Sequence, residues 1–429
     1  MKSKHTYLII LLQVFVLALS SGSGFAQNRI SSPYSRFGIG DLMPNTNAYN
    51  MAMGGISYGV SSPFFVNTAN PATYRSFDTL SFVFDIGGYS RQSRLVTQNL
   101  SQSANYTSLG YLLFGFPVTR WWRSSIGLLP YSGTGYHMID KTVEDVIGKV
   151  TREYEGSGGI NQFYWGNSIS ITKNLSAGFN LNYLFGTIEK WSATTFPDSA
   201  YRMNYKAATT THIHDISLNY GLFYKYRFNG GLQLGVGAVA QGNSEISATE
   251  KRLGYRYFMQ SNGLERVIDT LVNEPSIKGD ILLPAGLGLG FSIGKTDKWL
   301  VGADYQLQMW EKYRYFDQPD TLKNSMRLGV GGEYTPSVST VSNYFQRITY
   351  RAGFRYSNSF LELRNQRIDE FGISFGFGLP IPRTRSTVNF AAEIGTRGTV
   401  AENLIKENYF RFTLGLSIFE RWFIIRKYD

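Results

Sequence analysis

The sequence predicts an all-β protein: a transmembrane antiparallel β-barrel of about fourteen strands with an N-terminal hatch inside its lumen. Three observations carry that prediction. From Thr79 almost to the C-terminus, apolar residues alternate with polar residues or glycine at the two-residue period of a strand. No apolar run in this region is long enough for a membrane-spanning helix. The composition is 15% aromatic and only 17% charged, with 45 Gly, 29 Tyr and 30 Phe, which suits a lipid-facing sheet with interfacial aromatics and tight turns. Lipid cannot satisfy the free edge of such a sheet, so the sheet must close on itself.

The chain opens with a secretory signal. Lys2 and Lys4 form a positive start and Tyr7 to Leu19 an almost unbroken apolar core. Gly24-Phe25-Ala26 supplies small residues where a signal peptidase cuts, giving a signal peptide over residues 1–26 and a mature start at Gln27. The apolar core is shorter than the roughly 20 residues a membrane-spanning helix needs. With no cysteine in the chain, a lipidated N-terminus, disulfides and thiolate-bound metals are excluded. Residues 27–78 are the expected hatch. Pro33, Pro44, Pro63, Pro71 and Gly54-Gly55 break it too often for a helix or a strand pair. Its Tyr34, Phe37, Ile39 and Leu42 are anchors that a disordered leader rarely carries.

Residues 79–429 are the expected barrel. Trp299–Trp310 places Trp299, Val301, Ala303, Tyr305, Leu307 and Met309 on one face and Gly302, Asp304, Gln306 and Gln308 on the other. Phe371–Leu379 alternates Phe371, Ile373, Phe375, Phe377 and Leu379 with Gly and Ser. Tyr409–Phe419 turns Phe410, Phe412, Leu414, Leu416 and Ile418 to lipid and Arg411, Thr413 and Ser417 inward. Connections run alternately short and long. The short ones fall near Pro117–Arg120, Thr172–Asn174, Asn229–Gly230, Gly294–Lys298 and Pro380–Arg385; the long ones are Ser132–Gly159, Thr187–Thr211 and Gly242–Lys278. Outer-membrane barrels keep short turns in the periplasm and long loops outside, which orients the chain. Thr335–Arg347 is the exception, a long connection on the short-turn side that suggests contact with a protein partner.

Met51–Tyr74, MAMGGISYGVSSPFFVNTANPATY, carries a family resemblance. Gly54 and Gly55 followed by Asn70, Pro71 and Ala72 resemble the hatch of FadL-type outer-membrane proteins, which take up hydrophobic compounds. LPAGLGLGFSI (Leu283–Ile293), KWLVGADYQLQMW (Lys298–Trp310) and YRAGFRYS (Tyr350–Ser357) extend the resemblance over nearly all of the mature chain. The end departs from the usual pattern, since Trp422-Phe423 is followed by IIRKYD. The resemblance implies residence in a Gram-negative outer membrane, contact with its lipid, and uptake of a fatty-acid-like hydrophobic small molecule by a lateral opening. PorV-like barrels share the hatch signature and transport nothing. The alternative is therefore a barrel subunit that scaffolds an outer-membrane secretion or assembly complex, with protein partners there. Within the third strand, Trp122 to about Met138, Pro130 withholds a ladder donor, and Gly133 and Gly135 mark bulges. A kinked third strand is where the family opens sideways, so the resemblance implies a gate at Pro130, Gly133 and Gly135 facing Asn70-Pro71-Ala72. The competing reading places Pro130 at the outer rim, entering a loop.

Several chemistries are excluded. Lys225, Arg227, Asp304, Arg327, Glu333, Arg351, Arg355, Glu393 and Arg411 fall on inward positions, and their mixed signs predict internal pairing. His212 and His214 share one face beside Asp215, but two ligands fall short of the three or four a metal site uses. No Ser/His or Asp/His arrangement suggests an enzyme, and Gly286–Gly294 lacks the lysine of a phosphate loop. No cofactor is implied. The formal net charge of +11 is scattered rather than clustered in basic runs, which argues against nucleic acid.

Overall fold

A computed structural model describes residues 31–198, 202–260 and 262–421; the expected signal peptide, the first residues of the expected hatch and the IIRKYD end lie outside the described residues. Fourteen antiparallel strands close into one barrel. They are β1 (Ser81–Val96), β2 (Ser101–Pro117), β3 (Trp122–Gly133, continued by Tyr136–Glu144), β4 (Gly148–Ser170), β5 (Leu175–Thr195), β6 (Asn204–Arg227) and β7 (Leu232–Gln241, continued by Ser244–Met259). After them come β8 (Glu265–Leu283, continued by Gly286–Lys295), β9 (Trp299–Gln308), β10 (Ser325–Tyr334), β11 (Thr349–Leu363), β12 (Gln366–Pro380), β13 (Thr387–Arg397) and β14 (Lys406–Arg421). Closure is made by β14 on β1, from Ser81↔Arg421 to Val96↔Lys406.

The alternation read from the sequence sorts the faces. Phe371, Ile373, Phe375 and Phe377 of β12 are exposed on the outer wall, while Ser374 between them is buried. On β14, Phe410 and Phe412 face out, and Arg411, Thr413 and Ser417 are buried inside. Val301 and Tyr305 of β9 face out, with Asp304 inside. Trp121, Tyr226, Phe228, Tyr334 and Tyr350 are exposed beside the short turns, where an aromatic girdle belongs.

The three long connections are not loops. Ser132–Gly159, Thr187–Thr211 and Gly242–Lys278 are mostly continuations of β3 to β8, which rise past the apolar band as one twisted wall. The reason lies in composition. Thr-rich and charged ribbons such as KAATTTHIH (Lys206–His214) form strands in water without a greasy face, so the alternation that marks a lipid-facing strand is absent. The wall has two free sides. Tyr136–Glu144 pairs only with β4, and β8 from Glu265 to Gly279 pairs only with β7. Thr335–Arg347 ends in a short helix, Tyr344–Arg347, capped by Asn343, with Phe345 exposed on it and Val341 exposed just before it.

Candidate functional site

The N-terminal segment packs against inward faces of strands around the ring, and each piece is held by a local rule. At the extended end, Ser32 caps the turn Pro33–Arg36, with proline at its first position. Tyr34 and Ile39 join an apolar cluster with Leu322, Phe360, Leu361 and Ile368. Trp310 and Tyr313, directly after β9, belong to the same cluster and are fully buried. Midway down, Asn47 caps the helix Ala48–Met51 by accepting from the Asn50 N–H at 3.0 Å. Its amide also donates to Val66 O and to Asp85 of β1.

Gly54 and Gly55 follow, both at positive φ (68° and 76°). The Gly54 N–H donates to Ser374 Oγ of β12 at 2.8 Å, and a Cβ there would stand 2.6 Å from Phe354 O of β11. Only glycine meets both conditions. Next, Asp304 of β9 accepts from the N–H groups of Ser57 (2.5 Å) and Tyr58 (2.8 Å). At the short-turn end Asn70 caps Pro71–Ser76, and its Nδ2 donates to Tyr58 O and to Leu222 O of β6. Ala72 O accepts from Ser168 of β4 and Ser176 of β5.

The interruption in the wall lies between β2 and β3. Their pairing runs from Pro117↔Arg123 to Leu112↔Leu128 and stops. Beyond it β2 pairs only with β1, while β3 continues past Pro130 on β4, with a register shift before Ser132↔Ile160. The vacated edge of β3 is taken by the N-terminal segment. The two-residue strand Asp41–Leu42 pairs as Asp41↔Gly133 and Leu42↔Ser132, and the Met43 N–H donates to Tyr131 O at 2.9 Å. Ser32 N–H donates to Gly135 O, and Gly135 N–H donates to Ser35 Oγ.

Pro130, Gly133 and Gly135 therefore face residues 32–43. Asn70, Pro71 and Ala72 sit at the other end of the segment, on β4 to β6, and do not meet them. The pairing of the two groups expected from the sequence is corrected accordingly: the segment runs the length of the bore, so its two ends cannot share one opening.

Beside this seam lies a chamber of about 280 Å³. Asp41 to Thr46 border it from the extended end, Ser57, Tyr58 and Ala69 from the other, and Tyr106 and Tyr131 flank the seam. Its wall is an ion-pair web. Arg397 grips Asp41 with two bonds of 2.8 and 3.0 Å. Arg355 bridges Glu393 (2.6 Å) and Glu370 (2.9 Å), and the Tyr409 hydroxyl donates to both carboxylates. Arg91 reaches Glu407, which also accepts from Ser32. Of the nine inward charges read from the sequence, Arg351 pairs with Glu333 and Arg355 with Glu393. Lys225, Arg227, Asp304, Arg327 and Arg411 make no ion pair among the described residues. Asp41, Glu370 and Arg397, which do pair in the web, carried no local signal in the sequence. In the part of β5 that rises past the apolar band, Lys190 donates to Arg36 O and Gly38 O. Burial, reinforced by Arg36, pushes its ammonium down to about 8. Burial and nearby Glu407 push the Tyr34 hydroxyl up to about 12. Among the described residues no group of three or more His, Cys, Asp or Glu is placed to hold a metal.

A family model described as BamG matches residues 8–429. Among solved structures, the toluene transporter TbuX of Ralstonia pickettii aligns with a TM-score of 0.57 at 13% identity, covering 89% of this chain and 99% of its own. The toluene transporter TodX of P. putida aligns with 0.57 at 16% identity, covering 89% and 100%. A FadL homologue of Pseudomonas aeruginosa gives 0.54 at 13%, covering 89% and 99%. At these identities the likeness is one of fold: a FadL-type barrel. Curated protein sequences yield no match.

Proposed function

The chain belongs to the BamG family, and from the FadL-type fold we propose a Gram-negative outer-membrane barrel that takes up a small hydrophobic molecule sideways through the β2–β3 seam. Residues 1–26 are removed as a signal, and residues 27–78 serve as the hatch. The short turns face the periplasm. The observation that carries this reading is the seam itself. A wall that is otherwise hydrogen-bonded lacks its ladder beyond Leu112↔Leu128, and the edge is occupied by a strand of only two residues that belongs to the hatch. So short a ladder costs little to release. Its withdrawal would join the chamber to the outer leaflet between Tyr106 and Tyr131. A volume of about 280 Å³ lies at the lower end of small-molecule pockets and suits a compact ligand better than a long acyl chain.

A second reading, a scaffold for an outer-membrane secretion or assembly complex, draws on a specific observation as well. The N-terminal segment occupies the bore, Asp41, Glu370 and Glu393 are held by Arg397 and Arg355, and the wall above it exposes Val143, Val267, Ile268 and Leu271. One experiment separates the two. The chain has no native cysteine, so Leu42→Cys with Ser132→Cys places a directly opposed pair across the seam, at a spacing a disulfide can bridge. Uptake of labelled toluene and of labelled oleate by cells is then measured. Transport through the seam requires entry to stop on oxidation and to return on reduction. Entry equal to that of cells lacking the protein, oxidised or reduced, favours the scaffold.

A further inference from the structure

The two ends of the bore treat their cations differently. In the chamber, Arg91, Arg355 and Arg397 each hold a carboxylate, and Arg327 and Arg411, which make no direct ion pair, lie near Asp304, Glu370 and Glu393. At the short-turn end, Arg75, Lys173, Lys225 and Arg227 make no ion pair with any described carboxylate. The nearby Asp78 is engaged by Arg421 at 3.8 Å. These four cations are neighbours. The Arg75 guanidinium donates to Thr172 O and to Lys173 O at 2.7 Å, and Asn174 O of the same turn accepts the backbone N–H of Lys225 at 2.8 Å. Lys225 and Arg227 share the inward parity of buried Phe223, whereas Tyr224 and Tyr226 point out to lipid. Like charges gathered without a paired counter-charge repel one another, and four such cations gather at the base of the bore.

We propose that Arg75, Lys173, Lys225 and Arg227 form a docking floor for an acidic segment of a periplasmic protein. Charge complementarity identifies the partner's chemistry, and position separates it from lipid. Headgroups line the outer perimeter, where Tyr224 and Tyr226 lie, while the floor faces across the bore and includes Arg75 of the N-terminal segment. A peptide brought up from below reaches it. This role is independent of whether the barrel passes a ligand.

The test uses the mature protein in neutral detergent, titrated with a fluorescent oligoglutamate peptide. The wild type should bind in a strongly salt-dependent manner. K173E/R227E, at two exposed positions, should weaken binding by about tenfold or more through like-charge contact. K295E/K298E, on the β8–β9 turn, should leave it unchanged. Heat-modifiable migration in gels confirms that each variant is folded. Absence of wild-type binding, or equal weakening by K295E/K298E, overturns the proposal. So does loss of peptide binding in nanodiscs of phosphatidylglycerol while it persists in phosphatidylcholine, since lipid headgroups would then occupy the floor.

Discussion

Arg355 stands between Glu370 and Glu393, with Tyr409 bonded to both carboxylates. Removing one partner of a buried pair leaves the other charged and dry, which costs about 3–5 kcal/mol. Arg355→Ala should therefore lower stability by that order in urea unfolding of the vesicle-embedded protein, and adding Glu393→Gln should recover part of the loss. Lys190 gives a pH dependence of defined sign. Its folded value of about 8 lies below the ordinary 10.5, so the unfolded chain binds more protons between those values and stability rises with pH across that window. Thermal midpoints should be flat below pH 8, climb from 8 to 10, and lose the climb in Lys190→Met. At this scale the sequence was partly readable. Gly54-Gly55 was readable as a break because glycine takes positive φ without a steric penalty, and both residues have positive φ. Asp41 and Arg397, 356 positions apart, could not be matched because no local pattern records who meets whom across a closed ring.

Among the elements, the lipid-facing strands were the most legible, since a greasy face against a polar one leaves a period of two. β12 and β14 show the expected faces residue for residue. The wall of β3 to β8 beyond the apolar band was read as loop because both its faces meet water and the contrast vanishes. The strand Asp41–Leu42 has no signature either; two residues are too few for any periodicity. Its seat is nevertheless specific. Gly40 has φ +93°, and a Cβ there would run into Gly133 O of β3. Gly40→Val should lift the strand from the β3 edge, and hydrogen exchange of the Tyr131 to Gly135 amides should accelerate while those of β12 stay protected.

For the whole molecule, the sequence predicted a closed barrel and offered no hint of how far the N-terminal segment reaches. It touches β3 at Gly135, β5 at Lys190, β9 at Asp304, β12 at Ser374 and β14 at Glu407, from one end of the bore to the other. A chain deleted for residues 31–47 should melt at a lower temperature. A synthetic peptide of those residues should restore stability when present during refolding and fail to do so when added afterwards; equal rescue in both orders would count against this. Bonded to five strands around the ring, the inner segment is expected to be seated before β14 and β1 join. Birth order is thereby written into the architecture: the sleeve is wound about its own leading thread, and the hem between β14 and β1 is stitched last.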